Sequence, residues 1–60
     1  MDDEFRAYQA GRADGLAGRR DLERAGDPAL GRDYRIGFID GRMEVYRLHA
    51  RVRRIVEDGG

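Results

Sequence analysis

The sequence predicts an all-α protein, a two-helix antiparallel hairpin with a close glycine-lined crossing and a longer second helix. Three observations carry this. The pattern Tyr-x-x-Gly-x-x-Asp-Gly occurs twice, from Tyr8 to Gly15 and from Tyr34 to Gly41, with its Tyr and Gly residues at helical spacing. Between the copies, Gly26-Asp27-Pro28 combines a residue suited to closing a helix with a good N-cap and a favoured first helical residue. Alternating apolar stretches joined by a tight turn are absent, so no strand is expected.

The first helix is expected over about residues 3–25. Asp2, Asp3 and Glu4 place negative charge at its positive end. One face of it carries Ala7, Tyr8, Gly11, Gly15, Gly18, Leu22 and Ala25. The second helix starts at Pro28 or, with Asp33 as its cap, at Tyr34, and continues to about Glu57 before Gly59-Gly60 stops it. Its corresponding face reads Tyr34, Gly37, Phe38, Gly41, Val45, Leu48, Val52 and Ile55. The whole chain, residues 1–60, forms a single small domain.

A glycine inside a helix costs about 1 kcal/mol relative to alanine. Gly11, Gly15, Gly18, Gly37 and Gly41 therefore need a compensating reason, which close approach of two helix backbones supplies. Tyr8, Gly11, Gly15, Gly18, Tyr34, Gly37, Phe38 and Gly41 are the expected crossing residues. Folding back at Gly26-Asp27 sets Gly15 opposite Gly37, Gly11 opposite Gly41, Tyr8 opposite Val45, Phe5 opposite Leu48 and Gly18 opposite Tyr34.

Composition narrows the chemistry. The 60 residues contain no Ser, Thr, Cys, Lys, Asn or Trp and a single histidine, His49. The usual hydroxyl, thiol and amine nucleophiles are missing, as is any His/Cys cluster for zinc, and no pair of carboxylates stands out as a tuned acid and base. The expectation is a non-enzymatic protein with no catalytic or metal site, no cofactor and no small-molecule substrate. No apolar run is long enough to span a bilayer, and the acidic start at Met1 is unlike a signal peptide, so no membrane partner is expected and the cytoplasm is the expected location.

Net charge is zero but unevenly spread, and all twelve basic residues are arginine. Arg42, Arg47, Arg51, Arg53 and Arg54 fall in a stretch whose one acid is Glu44. On a helix the arginines form two stripes, Arg35/Arg42/Arg53 and Arg47/Arg51/Arg54. They read either as a solvated rim whose stems cover the core edge or as a surface for nucleic acid or an acidic partner. A pI near 6.6 argues against tight, free-standing nucleic-acid binding. Ile36, Ile39, Met43 and Tyr46 make a second apolar patch, and Val52, Ile55 and Val56 prolong the main seam past the reach of the first helix. Together they form a candidate partner or dimer surface. His49, beside that seam, is expected to be a partly buried packing residue.

Tyr8-Gln9-Ala10-Gly11, Gly15-Leu16-Ala17-Gly18-Arg19, the Asp27-Pro28 link and Tyr34-x-x-Gly37-Phe38 resemble the ribosome modulation factor family over roughly residues 8–42. Tyr34 and Phe38 stand where that family typically has Trp, and its ribosome-binding members are basic where this chain is neutral. The resemblance implies a two-helix fold built on Gly11, Gly15, Gly18, Tyr34, Gly37 and Phe38. It also implies binding to the ribosome with silencing of translation, nearby arginines meeting rRNA. The sequence thus leads to a small binding protein for the ribosome, its rRNA or another nucleoprotein complex. The alternative is a pure protein-interaction module, such as a mobile-element inhibitor of a host nucleoprotein complex, or a self-assembling homodimer.

Overall fold

The structure, a computed structural model, describes residues 2–59; Met1 and Gly60, the latter part of the expected helix stop, lie outside them. The described residues are all-helical: α1 spans Asp3–Ala17, α2 Leu22–Ala25 and α3 Gly31–Gly59. Asp3 and Glu4 occupy the first turn of α1, where carboxylates oppose the positive end of the helix dipole.

The expected first helix over 3–25 is cut short at Ala17. Gly18 takes the left-handed conformation at φ 71°. Its N–H reaches the Gly15 carbonyl at 3.2 Å and the Arg19 N–H reaches that of Asp14 at 2.9 Å. This pair of reversed bonds satisfies the terminal carbonyls and ends the helix. Gly18 is therefore a helix terminator and not, as its place on the glycine face suggests, a crossing residue opposite Tyr34. The chain then makes the single turn α2, where the Asp21 carboxylate accepts from the Arg24 N–H at 3.1 Å.

Asp27 winds the chain into α3. Its carboxylate accepts from the N–H groups of Ala29 at 2.7 Å and Leu30 at 2.9 Å, and its carbonyl accepts from Gly31 at 2.8 Å. The N–H groups of Leu30 and Ala29 hold the Asp27 carboxyl below the ordinary aspartate range. The regular helix begins at Gly31, between the two starts the sequence allows, and Asp33 lies within its first turn.

Helices α1 and α3 pack together, and their direction corrects the antiparallel hairpin. A Cβ on Gly11 would strike the Tyr34 carbonyl and lie 3.0 Å from the Phe38 nitrogen; one on Gly15 would strike the Phe38 carbonyl and lie 3.1 Å from the Arg42 nitrogen. In return, Gly37 abuts Tyr8 and Arg12, and Gly41 abuts Arg12 and Leu16. Residue numbers rise together along both helices, so the helices run parallel. The expected oppositions Gly15–Gly37, Gly11–Gly41, Tyr8–Val45 and Phe5–Leu48 belong to the opposite direction.

Two physical reasons favour the observed one. The hairpin register would set Asp14 beside Asp40, a like-charge pair, whereas the parallel register gives each aspartate a tyrosine hydroxyl from the other helix. The stop at Gly18 also leaves residues 18–30 to run back along α1, a return of about 22 Å for a 15-residue helix. Each glycine contact at the crossing is matched by another in which both residues are exchanged for their counterparts in the other copy, Gly11 on Tyr34 by Gly37 on Tyr8 and Gly15 on Phe38 by Gly41 on Arg12. The repeat is thus a pair of mutually complementary surfaces related by an approximate two-fold along the helices.

The buried set is small. Tyr34 is the one large side chain fully enclosed among the described residues, at 1% exposure, and Gly11, Gly15, Gly31, Gly37 and Gly41 are buried around it. The 29 residues of α3 rise about 43 Å, close to the 49 Å length of the molecule, so α3 overhangs α1 by several turns.

Gly15→Leu or Gly37→Leu is expected to lower unfolding free energy by about 1–3 kcal/mol or more, because the neighbours at these positions are backbone atoms. Gly59→Leu, where an added Cβ meets nothing within 4 Å, is the matched control. Urea unfolding followed by circular dichroism reads both, and glycine variants as stable as the parent would contradict this packing.

Candidate functional site

Two tyrosines tie the structure together. The Tyr34 hydroxyl donates to Asp14 Oδ2 of α1 at 2.5 Å and accepts the Asp21 N–H at 2.8 Å. One buried phenol thereby fixes α3 to both α1 and the return segment, with donor and acceptor capacity used. Burial, then the bond to Asp14, raises its pKa above the ordinary tyrosine value, while the Asp21 N–H works in the opposite sense. Tyr8 mirrors it from α1, donating to Asp40 Oδ2 at 2.6 Å, and this bond, with desolvation second, raises the Tyr8 pKa. Arg12 pairs with Glu44 farther along the same side.

Tyr8, Gly11, Gly15, Tyr34, Gly37, Phe38 and Gly41 therefore meet, and Gly18 stands apart from them. Phe38 lies 6.5 Å from Tyr34 between ring centroids and is covered by the Arg20 guanidinium at 4.8 Å. The role of the two aspartates escaped the sequence reading, although each sits six residues after its tyrosine inside the repeat. Only the parallel register aims them at each other's copies.

The two arginine stripes differ in what they touch. In the first, Arg35 donates to the Ala25 carbonyl, Arg42 reaches the Gly15 carbonyl at 3.3 Å and lies 5.2 Å from the Tyr46 ring, and Arg53 pairs with Glu57 at 3.5 Å. Arg42 thus sits at the C-terminal, negative end of α1, where a cation is favoured. Arg47, Arg51 and Arg54 of the second stripe are exposed and form no ion pair among the described residues.

Two apolar surfaces remain uncovered. Ile36, Ile39, Met43 and Tyr46 lie on the side of α3 turned away from α1, at 43–59% exposure. Leu48, Val52, Ile55 and Val56 continue the side that α1 covers upstream and are 50–68% exposed. An open groove lined by Arg12, Leu16, Glu44, Val45, Leu48 and Arg51 marks the step where α1 ends. His49 is exposed, not partly buried as expected, because α1 stops short of it.

Among the described residues no group of three or more His, Cys, Asp or Glu side chains is placed to hold a metal ion, and no helix is long and apolar enough to cross a membrane. What the site offers is surface: apolar side chains bordered by guanidinium groups. No family model, curated protein or solved structure matches the chain.

The raised tyrosine pKa values set a sign. Their contribution to stability is fully present below the unfolded tyrosine pKa, about 10, and is lost as pH rises through the higher folded values. Melting temperature is accordingly expected to fall above about pH 10. Tyr34→Phe should flatten that fall and lower stability at neutral pH by about 1–3 kcal/mol through the stranded Asp21 N–H and lost Asp14 bond. An alkaline limb of parental steepness in the Tyr8→Phe/Tyr34→Phe double variant would rule these hydroxyls out as its source.

Proposed function

We propose that this chain is a non-enzymatic docking protein that binds a larger complex through the outward face of α3 and modulates that complex. One observation carries the reading. Ile36, Ile39, Met43 and Tyr46 lie together in the open, while among the described residues a single large side chain, Tyr34, is fully enclosed. A domain this short on core that still leaves an apolar patch facing solvent has a use for it in association.

The partner we favour is a nucleoprotein complex, the ribosome and its rRNA foremost. Arg47 and Arg54 edge the outward face with guanidinium groups that form no ion pair among the described residues and are suited to bidentate contact with phosphate, and the sequence resemblance points the same way. The neutral net charge fits a contact made partly through protein. A pure protein partner, for example a host complex blocked by a small inhibitor, is favoured by a different observation: Arg35, Arg42 and Arg53, one whole arginine stripe, are engaged within the chain and so are drawn away from any nucleic acid.

Co-sedimentation with ribosomes of the source cell at two salt concentrations separates these readings. Binding through two or three phosphate contacts should weaken several-fold to about fiftyfold between about 50 and 200 mM salt, whereas apolar docking should barely change. Ile39→Glu with Met43→Glu, both on exposed positions, is expected to abolish binding to either partner and leave the helical signal intact. Undiminished binding by that variant would remove the outward face as the docking surface.

A further inference from the structure

The seam of α3 beyond the end of α1 has an occupant that the chain itself can supply. We propose that two copies associate through these overhangs, antiparallel, about a two-fold axis passing between Val52 and Ile55, as an interaction separate from the outward docking face.

Continuity with the α1·α3 interface is the first argument. From Tyr34 onward the inner side of α3 steps through Phe38, Gly41, Val45, Leu48, Val52 and Ile55 in alternating strides of four and three. Helix α1 fills the lane against the upstream half, with Gly41 abutting Arg12 and Leu16. Downstream no described residue fills the same lane, and Leu48, Val52 and Ile55 stand at 50–64% exposure. A second overhang laid there in the opposite direction completes both lanes and displaces nothing. Val52 of each copy then packs on Ile55 of the other, and Leu48 lies toward the far end of the other overhang.

Charge fixes the direction. Along this segment Arg47, Arg51, Arg53 and Arg54 precede Glu57 and Asp58. Parallel pairing would align the basic stretches of both copies and run into the lane that α1 already occupies. Antiparallel pairing brings Arg47 and Arg51, at the start of each overhang, beside the acidic stretch of the other, while Arg53 and Arg54 lie level with the axis on the sides of the helix away from the seam. Arg51 and Asp58, seven residues apart on one flank of the seam, then meet their counterparts across the axis twice over. Arg51 forms no ion pair among the described residues, so this contact replaces none.

Each overhang amounts to about three turns, a small contact beside the interfaces of roughly 1,600 Å² that stable complexes bury, so the dimer should be reversible and concentration-dependent. Sedimentation equilibrium of the full chain tests it. The parent should show a monomer–dimer equilibrium, and Val52→Asp should be monomeric with unchanged helicity. Arg51→Asp and Asp58→Arg should each weaken the dimer by about tenfold, as both two-fold-related pairs become repulsive. The double charge swap Arg51→Asp/Asp58→Arg should restore it, which parallel pairing cannot do. A parent that stays monomeric to about 1 mM overturns the proposal. So does a dimer indifferent to Val52→Asp, or a charge swap that fails to rescue. A dimer lost in Ile39→Glu but kept in Val52→Asp would assign self-association to the outward face instead. Partner binding that survives Val52→Asp leaves the docking function standing apart from the dimer.

Discussion

Backbone meets backbone where α1 crosses α3, and most other features follow from that contact. Gly11 and Gly15 lie against the main chain of Tyr34, Phe38 and Arg42, while Gly37 and Gly41 lie against that of Tyr8, Arg12 and Leu16. Four positions without a Cβ let the axes close to a distance that any side chain would prevent. Each of those glycines weakens its own helix, so the crossing is favourable only while both helices stay together. The contact also explains why so few large side chains are enclosed: the space between the helices is filled by peptide groups.

With little apolar burial available, polar contacts at the margin of the crossing take on more of the structural role. Tyr34 joins three segments through one hydroxyl, and Asp21 and Asp27 use their carboxylates to cap the turns that carry the chain back to its starting level. These caps permit a parallel pair in so short a chain. Arg20 over Phe38 and Arg42 at the end of α1 close the same region from outside. Such contacts are specific about geometry, and they help set one register where a glycine surface alone would tolerate several.

The surfaces left over are ordered by the same constraint. Because α1 stops at Ala17, α3 has an inner side that is covered for half its length and an outer side that α1 does not cover. The proposed docking face and the proposed self-association seam therefore lie on different sides of one helix. A chain so arranged could bind its partner as a pair without either contact obstructing the other. The arginines divide accordingly: one stripe is spent on internal carbonyls and Glu57, and the other stays in solvent.

The sequence by itself determined the helical class, the division near Asp27-Pro28 and the faces on which glycine and apolar residues fall. These follow from local spacing, capping chemistry and the lack of strand patterning, all legible within a few residues. The end of the first helix is not legible in the sequence, because Gly18 continues the glycine face by spacing while its left-handed conformation depends on the bonds that end the helix. The direction of packing was decided by tertiary structure alone. A repeat of one motif presents matching glycine faces to a parallel or an antiparallel partner, and helical periodicity does not distinguish them. The choice falls to contacts between residues far apart in the chain, Tyr8 with Asp40 and Tyr34 with Asp14, which the parallel arrangement satisfies and the reverse replaces with opposed carboxylates.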